Sequence, residues 1–461
     1  MKRREVDMLS GPIIPGLFSI AIPIMIMNVT QSLFNIIDMT ILKAYDTGGG
    51  IAIGAVGACG TVISVITGLA IGVSSGANVI IARNIGRRNQ NSVNWAVDSA
   101  VAFSLLAGIL LAVVGLLGAE TFLGWVNCPE RLFDQAVLYF RLYFVGVPIL
   151  LLYNFCASIL RATGDSRRPM VFLTTGGVLK VLFTFVFTAW FRMGVAGVAM
   201  ATILSWGTSA ALGVHALVHN QGMVRLQPRK IRFHKEEMLS ILRIGVPAGL
   251  QQVMYSLANV IIAATVNSFG PEATTGISIA NNYDGILYQI SCATALAVTP
   301  YVSQNIGRGN VKRASQSVIR GVFITVCLGS FFGALSAIFS RQLASVMSND
   351  PTVIAYARQK MVIISSTYFI CGINEIMGGT LRGMGKPIPP TICTFLYMCV
   401  LRFVWVYLIF PLCPNLTFLY LVWPVGWSLC IITLLFFYFP ALKRHKAAPH
   451  GEVTRAEEAR G

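Results

Sequence analysis

The chain has 461 residues, of which 55% are hydrophobic and only 11% are charged. Soluble proteins carry about 25% charged residues, so this composition excludes a soluble enzyme and a disordered chain. The formal net charge of +17 fits either nucleic-acid binding or basic loops of a membrane protein, and the positions of the basic residues decide between them.

Twelve apolar stretches are long enough to cross a bilayer as helices, which requires about 20 residues each. Their length and the lack of strict alternation favour helices over barrel strands. The sequence therefore predicts an all-α integral membrane protein with twelve transmembrane helices. In chain order, the predicted spans are residues 17–42, 51–81, 96–117, 136–159, 170–191, 195–217, 241–266, 275–302, 322–339, 353–380, 389–412 and 416–439.

The basic residues fall mainly in alternate connections between these spans. One set of connections, which includes both termini, holds 25 lysines and arginines, whereas the other set holds four. Cytoplasmic loops carry the excess of basic residues, so we expect a multi-pass protein of the inner (plasma) membrane with both termini in the cytoplasm. Because this orientation accounts for most of the positive charge, we expect no nucleic-acid partner.

The sequence repeats itself after about half its length. Asn-Ile-Gly-Arg-Arg-Asn at 84–89 recurs as Asn-Ile-Gly-Arg-Gly-Asn at 305–310, and Leu-Arg-Ala-Thr-Gly at 160–164 recurs as Leu-Arg-Gly-Met-Gly at 381–385, both at an offset of 221. Six spans are an even number, so the halves enter from the same side as parallel repeats, an arrangement that suits alternating access. The predicted domains are an N-lobe (1–218), a cytoplasmic inter-lobe linker (219–238), a C-lobe (239–440) and a cytoplasmic tail (441–461).

Together with these repeated motifs, three further segments resemble the multidrug and toxic compound extrusion (MATE) family, most closely its prokaryotic, DNA-damage-inducible branch. They are Gly-Pro-Ile at 11–13, Gln-Ser-Leu-Phe-Asn-Ile-Ile-Asp at 31–38 and Ile-Gly-Val-Ser-Ser-Gly-Ala-Asn at 71–78. The resemblance covers about residues 11–440. It implies a V-shaped, twelve-helix antiporter with a central cavity, which exports organic, often cationic, compounds in exchange for protons or sodium ions.

Four polar residues of the first span, Asn28, Gln31, Asn35 and Asp38, are spaced 3, 4 and 3 residues apart. This spacing places them on one helix face, and we expect the face to line the N-lobe cavity and bind substrate. A charge inside a bilayer costs about 2.5–3.5 kcal/mol, so Asp38 is the foremost candidate for cation coupling. The resemblance agrees, because Asp38 matches the first-helix acid of the family.

The fifth span contains Lys180 and, one helical turn later, Thr184. By the resemblance, these positions often hold asparagine and aspartate. We predict that Lys180 is the counter-ion of Asp38 and that both fifth-span residues contribute to substrate binding. Loss of the second acid puts a two-carboxylate proton mechanism in doubt.

The seventh span repeats the polar face of the first span without its acid, with Gln252 and Asn259 as candidate substrate-binding residues. Many sodium-coupled members of the family have a glutamate near this point, where this chain has Gln251 and Gln252. The substitution favours a proton over sodium as the coupling ion.

The C-lobe has its own polar residues at membrane depth. Asp284 and Glu375 are candidates for cation coupling, and Asn281, Asn282 and Arg402 are candidates for substrate binding. We expect Asp284, Glu375 and Arg402 to form a network on one wall, with a purely structural ion pair as the alternative for Arg402.

Pro23 lies inside the first span, and Pro247 is its repeat partner at an offset of 224. A proline inside a helix frees a backbone carbonyl and permits a bend. We predict that Pro23 is a hinge during transport; the alternative is a static kink that is common to both lobes.

These features predict a cation-coupled antiporter that exports organic compounds of cationic or amphipathic character. A lipid-linked or oligosaccharide flippase of the same superfamily is the alternative, although twelve spans and acid-containing cavities argue against it. We expect no enzymatic activity, no metal site and no cofactor other than the coupling ion, H⁺ or Na⁺. The expected partners are small organic substrates and the lipid bilayer, with the chain acting as a monomer.

Overall fold

A computed structural model describes residues 5–45, 51–125, 128–228 and 232–447. Throughout these ranges the regular structure is helical, and no strand occurs in them. Residues 229–231 of the predicted linker and 448–461 of the predicted tail, with the basic residues counted there, lie outside the described residues, as do the basic residues at positions 2–4.

The first half of the chain forms six long helices that correspond to the first six predicted spans. They are α1 (Ile13–Tyr45), α2 (Ile51–Gly86), α3 (Gln90–Trp125), α4 (Glu130–Ala162), α5 (Arg167–Phe185) and α6 (Gly194–Val218). The helix α5 continues as a π-helical turn over Val186–Trp190. Most of these helices extend beyond the predicted spans at one or both ends.

The second half is more interrupted. Its helices are α7 (Lys235–Asn267), α8 (Pro271–Gly307), α9 (Val311–Ile338), α10 (Ser340–Ser345), α11 (Pro351–Ser366), α12 (Tyr368–Gly383), α13 (Ile388–Thr394), α14 (Leu401–Val404), α15 (Leu416–Tyr420) and α16 (Val422–Ala447). Two π-helical segments, Phe395–Val400 and Trp405–Ile409, flank α14, and a short 3₁₀ turn covers Phe410–Leu412.

The described helices provide eleven candidate membrane spans, or twelve if a bent pair counts as one span. The pair is α11 and α12, which meet at an angle of 48° and together cover the predicted span 353–380. An all-α integral membrane protein with about twelve spans is therefore confirmed.

The helices pack as two compact units. One unit comprises Ile26–Gly249 with the chain up to Val6, and the other comprises Asp7–Met25 with Leu250 onward. The chain thus changes unit three times, first between Val6 and Asp7, then inside α1 and again inside α7. The described residues of the predicted linker belong to the first unit, where the ring of His234 stacks on Trp95 with centroids 5.2 Å apart. Of the predicted boundaries, 218/219 coincides with the end of α6, whereas 238/239 and 440/441 fall inside α7 and α16. The division into lobes remains a prediction.

Glycines allow α2 and the first part of α7 to cross closely within the first unit. A Cβ added to Gly72 would lie 2.3 Å from Gly249 Cα, and a Cβ added to Gly76 would lie 2.2 Å from the carbonyl oxygen of Ile241. The glycines of α2 are four residues apart, as are Gly245 and Gly249 on α7. Such spacing lets helices approach closely in lipid, where dispersion contacts and not apolar burial hold them together.

The repeated motifs form matching turns at helix ends. Arg88, after α2, has a φ of +56°, and its repeat partner Gly309, after α8, has a φ of +79°. Gly164 after α4 and Gly385 after α12 have φ values of +86° and +84°. Left-handed residues after a helix permit backbone hydrogen bonds that satisfy its last carbonyls. The repeat is thus visible in backbone geometry as well as in sequence.

Candidate functional site

The first candidate site joins α1 to α5 within the first unit. Lys180 Nζ lies 2.6 Å from Asp38 Oδ2, and it donates a hydrogen bond of 3.2 Å to Asn35 Oδ1. Asp38 is only 3% exposed. Its carboxylate accepts no well-aligned hydrogen bond within the described part of the chain, so the contact with Lys180 is electrostatic. The predicted ion pair of Asp38 and Lys180 is therefore present.

A small residue brings α5 close to α1 at this site. A Cβ added to Gly177 would lie 2.0 Å from Phe34 Cε2 on α1, so only glycine permits the observed packing without movement of the ring. Lys180 follows within one turn and reaches Asp38. Thr184, one turn further, is completely buried, and its hydroxyl has no hydrogen-bond partner among the described residues.

Only part of the polar face of α1, which comprises Asn28, Gln31, Asn35 and Asp38, contacts this site. Asn35 and Asp38 contact Lys180, whereas Asn28 is half-buried and Gln31 is exposed. The described chain shows no side-chain contact from either of these last two residues to the ion pair. Their predicted role in substrate binding remains a prediction.

The second candidate site is a cavity of about 440 Å³ inside the second unit, bounded by segments of α7, α8, α11, α12, α14, α15 and α16. Its charged lining residues are Asp284, Lys360 and Arg402. Lys360 Nζ lies 2.9 Å from Asp284 Oδ2 and donates a hydrogen bond to the side-chain oxygen of Asn281. The buried lysine of α11 is therefore neutralised by the buried aspartate of α8.

Arg402 has a different partner in the same cavity. Its Nη1 donates a hydrogen bond of 2.7 Å to Asn259 Oδ1. The guanidinium also lies 5.1 Å from the ring centroid of Trp423, and Lys360 Nζ lies 5.6 Å from that centroid. Cations at such distances are attracted by the electron-rich face of an indole. Two buried cations therefore share one aromatic ring.

Glu375 lies in a smaller neighbouring cavity of about 20 Å³. Its Oε1 accepts a hydrogen bond of 3.4 Å from the hydroxyl of Tyr255. Arg382, which lines the same small cavity, donates a hydrogen bond of 2.6 Å to Gln251 Oε1. Gln252 and Tyr255 line both cavities and form the wall between them.

The expected network of Asp284, Glu375 and Arg402 is wrong. Asp284 and Arg402 line one cavity but have different partners, and Glu375 lies in the other cavity. The physical reason is Lys360, which sequence reasoning missed and which neutralises Asp284. The sequence could have identified this lysine as a candidate, because a charged residue inside the predicted span 353–380 is unusual. Asn282 is exposed and donates a hydrogen bond to a carbonyl of its own helix, outside the cavity lining.

Pro23 lies inside α1, as predicted, and two residues before the chain passes from one unit to the other at Met25 and Ile26. Pro247 similarly lies inside α7, two residues before the passage at Gly249 and Leu250. A proline thus lies shortly before each of the two passages that occur inside a helix. The hinge role of Pro23 remains a prediction.

A family model described as MatE matches the chain twice, over residues 23–186 and again over residues 247–408. The two matches begin at Pro23 and Pro247, which are the repeat partners in the sequence. The internal duplication is therefore confirmed.

Several curated proteins and solved structures resemble the chain over most of its length. "Probable multidrug resistance protein YpnP" of Bacillus subtilis is 27% identical over 87% of this chain and 89% of its own length. "FAD transporter" of Shewanella oneidensis is 24% identical over 84% of this chain and 86% of its own length. A solved outward-facing multidrug resistance MATE family transporter superposes with a TM-score of 0.89 at 21% identity, covering 97% of this chain and 100% of the other. This last likeness establishes the fold.

Proposed function

The chain belongs to the MATE family, and on that premise we propose that it is a cation-coupled antiporter that exports amphipathic organic compounds by alternating access. The names of its relatives, among them a probable multidrug resistance protein, support small organic molecules as substrates. The excess of basic residues in one set of connections supports a plasma-membrane orientation with cytoplasmic termini. The flippase alternative has no comparable support among these relatives.

The ion pair of Asp38 and Lys180 is the observation that carries this proposal. A carboxylate that is 3% exposed and paired at 2.6 Å has two distinct states. When it is ionised, it neutralises the lysine; when it binds a proton, Lys180 loses its charged partner. The lysine side chain is only 15% exposed. Because a largely buried cation without a partner is costly, protonation favours a different arrangement of α1 and α5. A change of local charge is thereby converted into a change of conformation.

The transport cycle follows from these two states. A proton that enters from outside binds a carboxylate oxygen of Asp38, breaks the ion pair and drives release of the outgoing substrate. The proton then leaves toward the cytoplasm, the ion pair forms again, and the unit returns to its substrate-accepting state. One proton on one oxygen suffices for this cycle, so it does not require the second acid that position 184 lacks.

Two contacts favour a proton over a sodium ion. Lys180 already supplies the positive charge beside Asp38 that a sodium ion would supply. In the second unit, the side-chain oxygen of Gln251 accepts a hydrogen bond from the cationic Arg382, so this oxygen already has the positive partner that a sodium ion would provide. Asp284 and Glu375 are secondary candidates for coupling, the first because it is paired with Lys360 and the second because it is buried beside Tyr255.

Reconstituted proteoliposomes test this proposal directly. Efflux of a panel of fluorescent organic cations and anions would be followed under an imposed proton gradient or an imposed sodium gradient. We expect the proton gradient alone to drive transport, Asp38→Asn to abolish it, and the exposed carboxylate variant Asp134→Asn to transport normally. Sodium-driven transport, or proton-driven transport by folded Asp38→Asn, would refute the assignment.

A further inference from the structure

The charge balance of the large cavity in the second unit points to the class of its ligand. The cavity has a volume of about 440 Å³, and its lining contains two cations, Lys360 and Arg402, but one acid, Asp284. Glu375 and Arg382 belong to the small neighbouring cavity. With Asp284 ionised, the large cavity therefore carries one net positive charge.

The excess charge can be assigned to one residue. Lys360 has its acid partner at 2.9 Å, whereas Arg402, which is 2% exposed, has only the neutral side chain of Asn259 and the face of Trp423. A guanidinium has five N–H donors, and a single hydrogen bond is made from it to the described chain. A buried cation without an acid is costly unless another anion neutralises it.

A second polar group in the same lining also lacks a partner. Tyr420 lines the cavity and is completely buried, and its hydroxyl makes no hydrogen bond with any described residue. A buried hydroxyl without a partner is unfavourable. The cavity therefore presents a guanidinium and a phenol, and both groups can donate hydrogen bonds to an anion.

The rest of the lining suits an aromatic or otherwise planar apolar body. Six aromatic side chains surround the same space, namely Tyr255, Tyr288, Tyr368, Tyr420, Trp423 and Trp427. Aromatic walls hold flat ligands by offset stacking and edge contacts. Arg402 is held on α14 between two π-helical segments, and such wide turns recur at functional positions of helices.

We propose that this cavity binds an organic anion that carries an aromatic group, with the carboxylate, phosphate or sulfonate of the ligand neutralising Arg402 and accepting a hydrogen bond from Tyr420. This ligand class differs from the cationic substrates that the family resemblance implies. Calling the ligand a substrate rests on the proposed transport function; the binding itself does not. The Asp284–Lys360 pair remains intact when the anion binds.

Equilibrium binding to the purified full-length protein in non-ionic detergent tests the proposal without any ion gradient. Three probes share one ring system and differ in charge: 1-naphthylacetate, 1-naphthylacetamide and 2-(1-naphthyl)ethylammonium. We expect the anion to bind about tenfold or more tightly than the amide or the cation, because a charged hydrogen-bonded contact contributes that much. Equal or tighter binding of the cation would overturn the proposal.

Variants locate the contact. Arg402→Gln should abolish the preference for the anion, Arg402→Lys should retain part of it, and Arg358→Gln, an exposed position on α11, should leave it unchanged. If Arg402→Gln does not fold, Tyr420→Phe decides: it should weaken binding of 1-naphthylacetate several-fold and leave the amide unaffected. Unchanged anion affinity in folded Arg402→Gln or in Tyr420→Phe would overturn the proposal.

A further arm tests the aromatic part of the ligand. Inorganic phosphate should fail to displace 1-naphthylacetate at equal concentration, and equal displacement would show that a bare anion suffices, against the proposal. The outcome is separable from the proposed function: loss of proton-driven transport with an intact anion preference counts against the coupling mechanism alone.

Discussion

Separate and combined replacement of Asp38 and Lys180 measures how strongly the buried ion pair is coupled. Lys180→Met leaves a carboxylate that is 3% exposed without its cation, and Asp38→Asn leaves the lysine without its acid. Removal of one partner of a buried pair costs about 3–5 kcal/mol, whereas removal of both costs little. The double-mutant cycle should therefore give a coupling free energy of about 2 kcal/mol or more.

An exposed pair in the same unit provides the matched control. Arg141 Nη2 lies 2.8 Å from Glu120 Oε1, a similar separation, but the two side chains are 45% and 63% exposed. Exposed pairs contribute at most about 1 kcal/mol because water screens them. Denaturation of the full-length protein in mixed micelles would provide both cycles. If the Asp38–Lys180 coupling were no larger than that of the control, the pair would not be shielded enough to act as a proton-sensitive element.

Three further variants test local features of the fold. Gly76→Ala should destabilise the protein by about 1–3 kcal/mol, because its Cβ meets the backbone of α7, whereas Gly207→Ala, with nothing within 4 Å, should be neutral or stabilising in thermal denaturation. Arg88→Gly should raise stability by about 1 kcal/mol by relieving a positive φ, and Arg87→Gly should not; a lower melting temperature for Arg88→Gly would refute this reasoning. Pro23→Ala should fold but slow transport in proteoliposomes, and a wild-type rate would exclude the hinge.

Most of the architecture could be predicted from the sequence, because the length of the apolar stretches and the spacing of the repeats are visible in the linear chain. The twelve predicted spans and the duplicated motifs have direct counterparts in the helices and turns. The bend between α11 and α12 could not be predicted from the sequence, because the residue between the two helices is Thr367 and not a proline or glycine. The positions where the chain changes unit, inside α1 and α7, depend on packing that the sequence pattern does not record.

An ion pair of the site can be predicted where each of two membrane spans contains one charged residue and the two charges are opposite. Asp38 and Lys180 can be paired from the sequence because each is the single charged residue of its predicted span. Lys360 cannot be paired in this way, because a lysine seven residues after the start of a span can extend to the membrane surface. Only the packing of α8 against α11 shows that it neutralises Asp284 and thereby leaves Arg402 without an acid.

The central claim is that Asp38 carries the coupling proton, and the most direct test is the proton flux itself. Lumenal pH would be recorded in proteoliposomes while the best-transported compound of the fluorescent panel moves in the opposite direction. We expect substrate-dependent proton movement for the wild type and Asp134→Asn, and none for folded Asp38→Asn. Proton movement by folded Asp38→Asn at the wild-type rate would contradict the assignment of the coupling proton to Asp38.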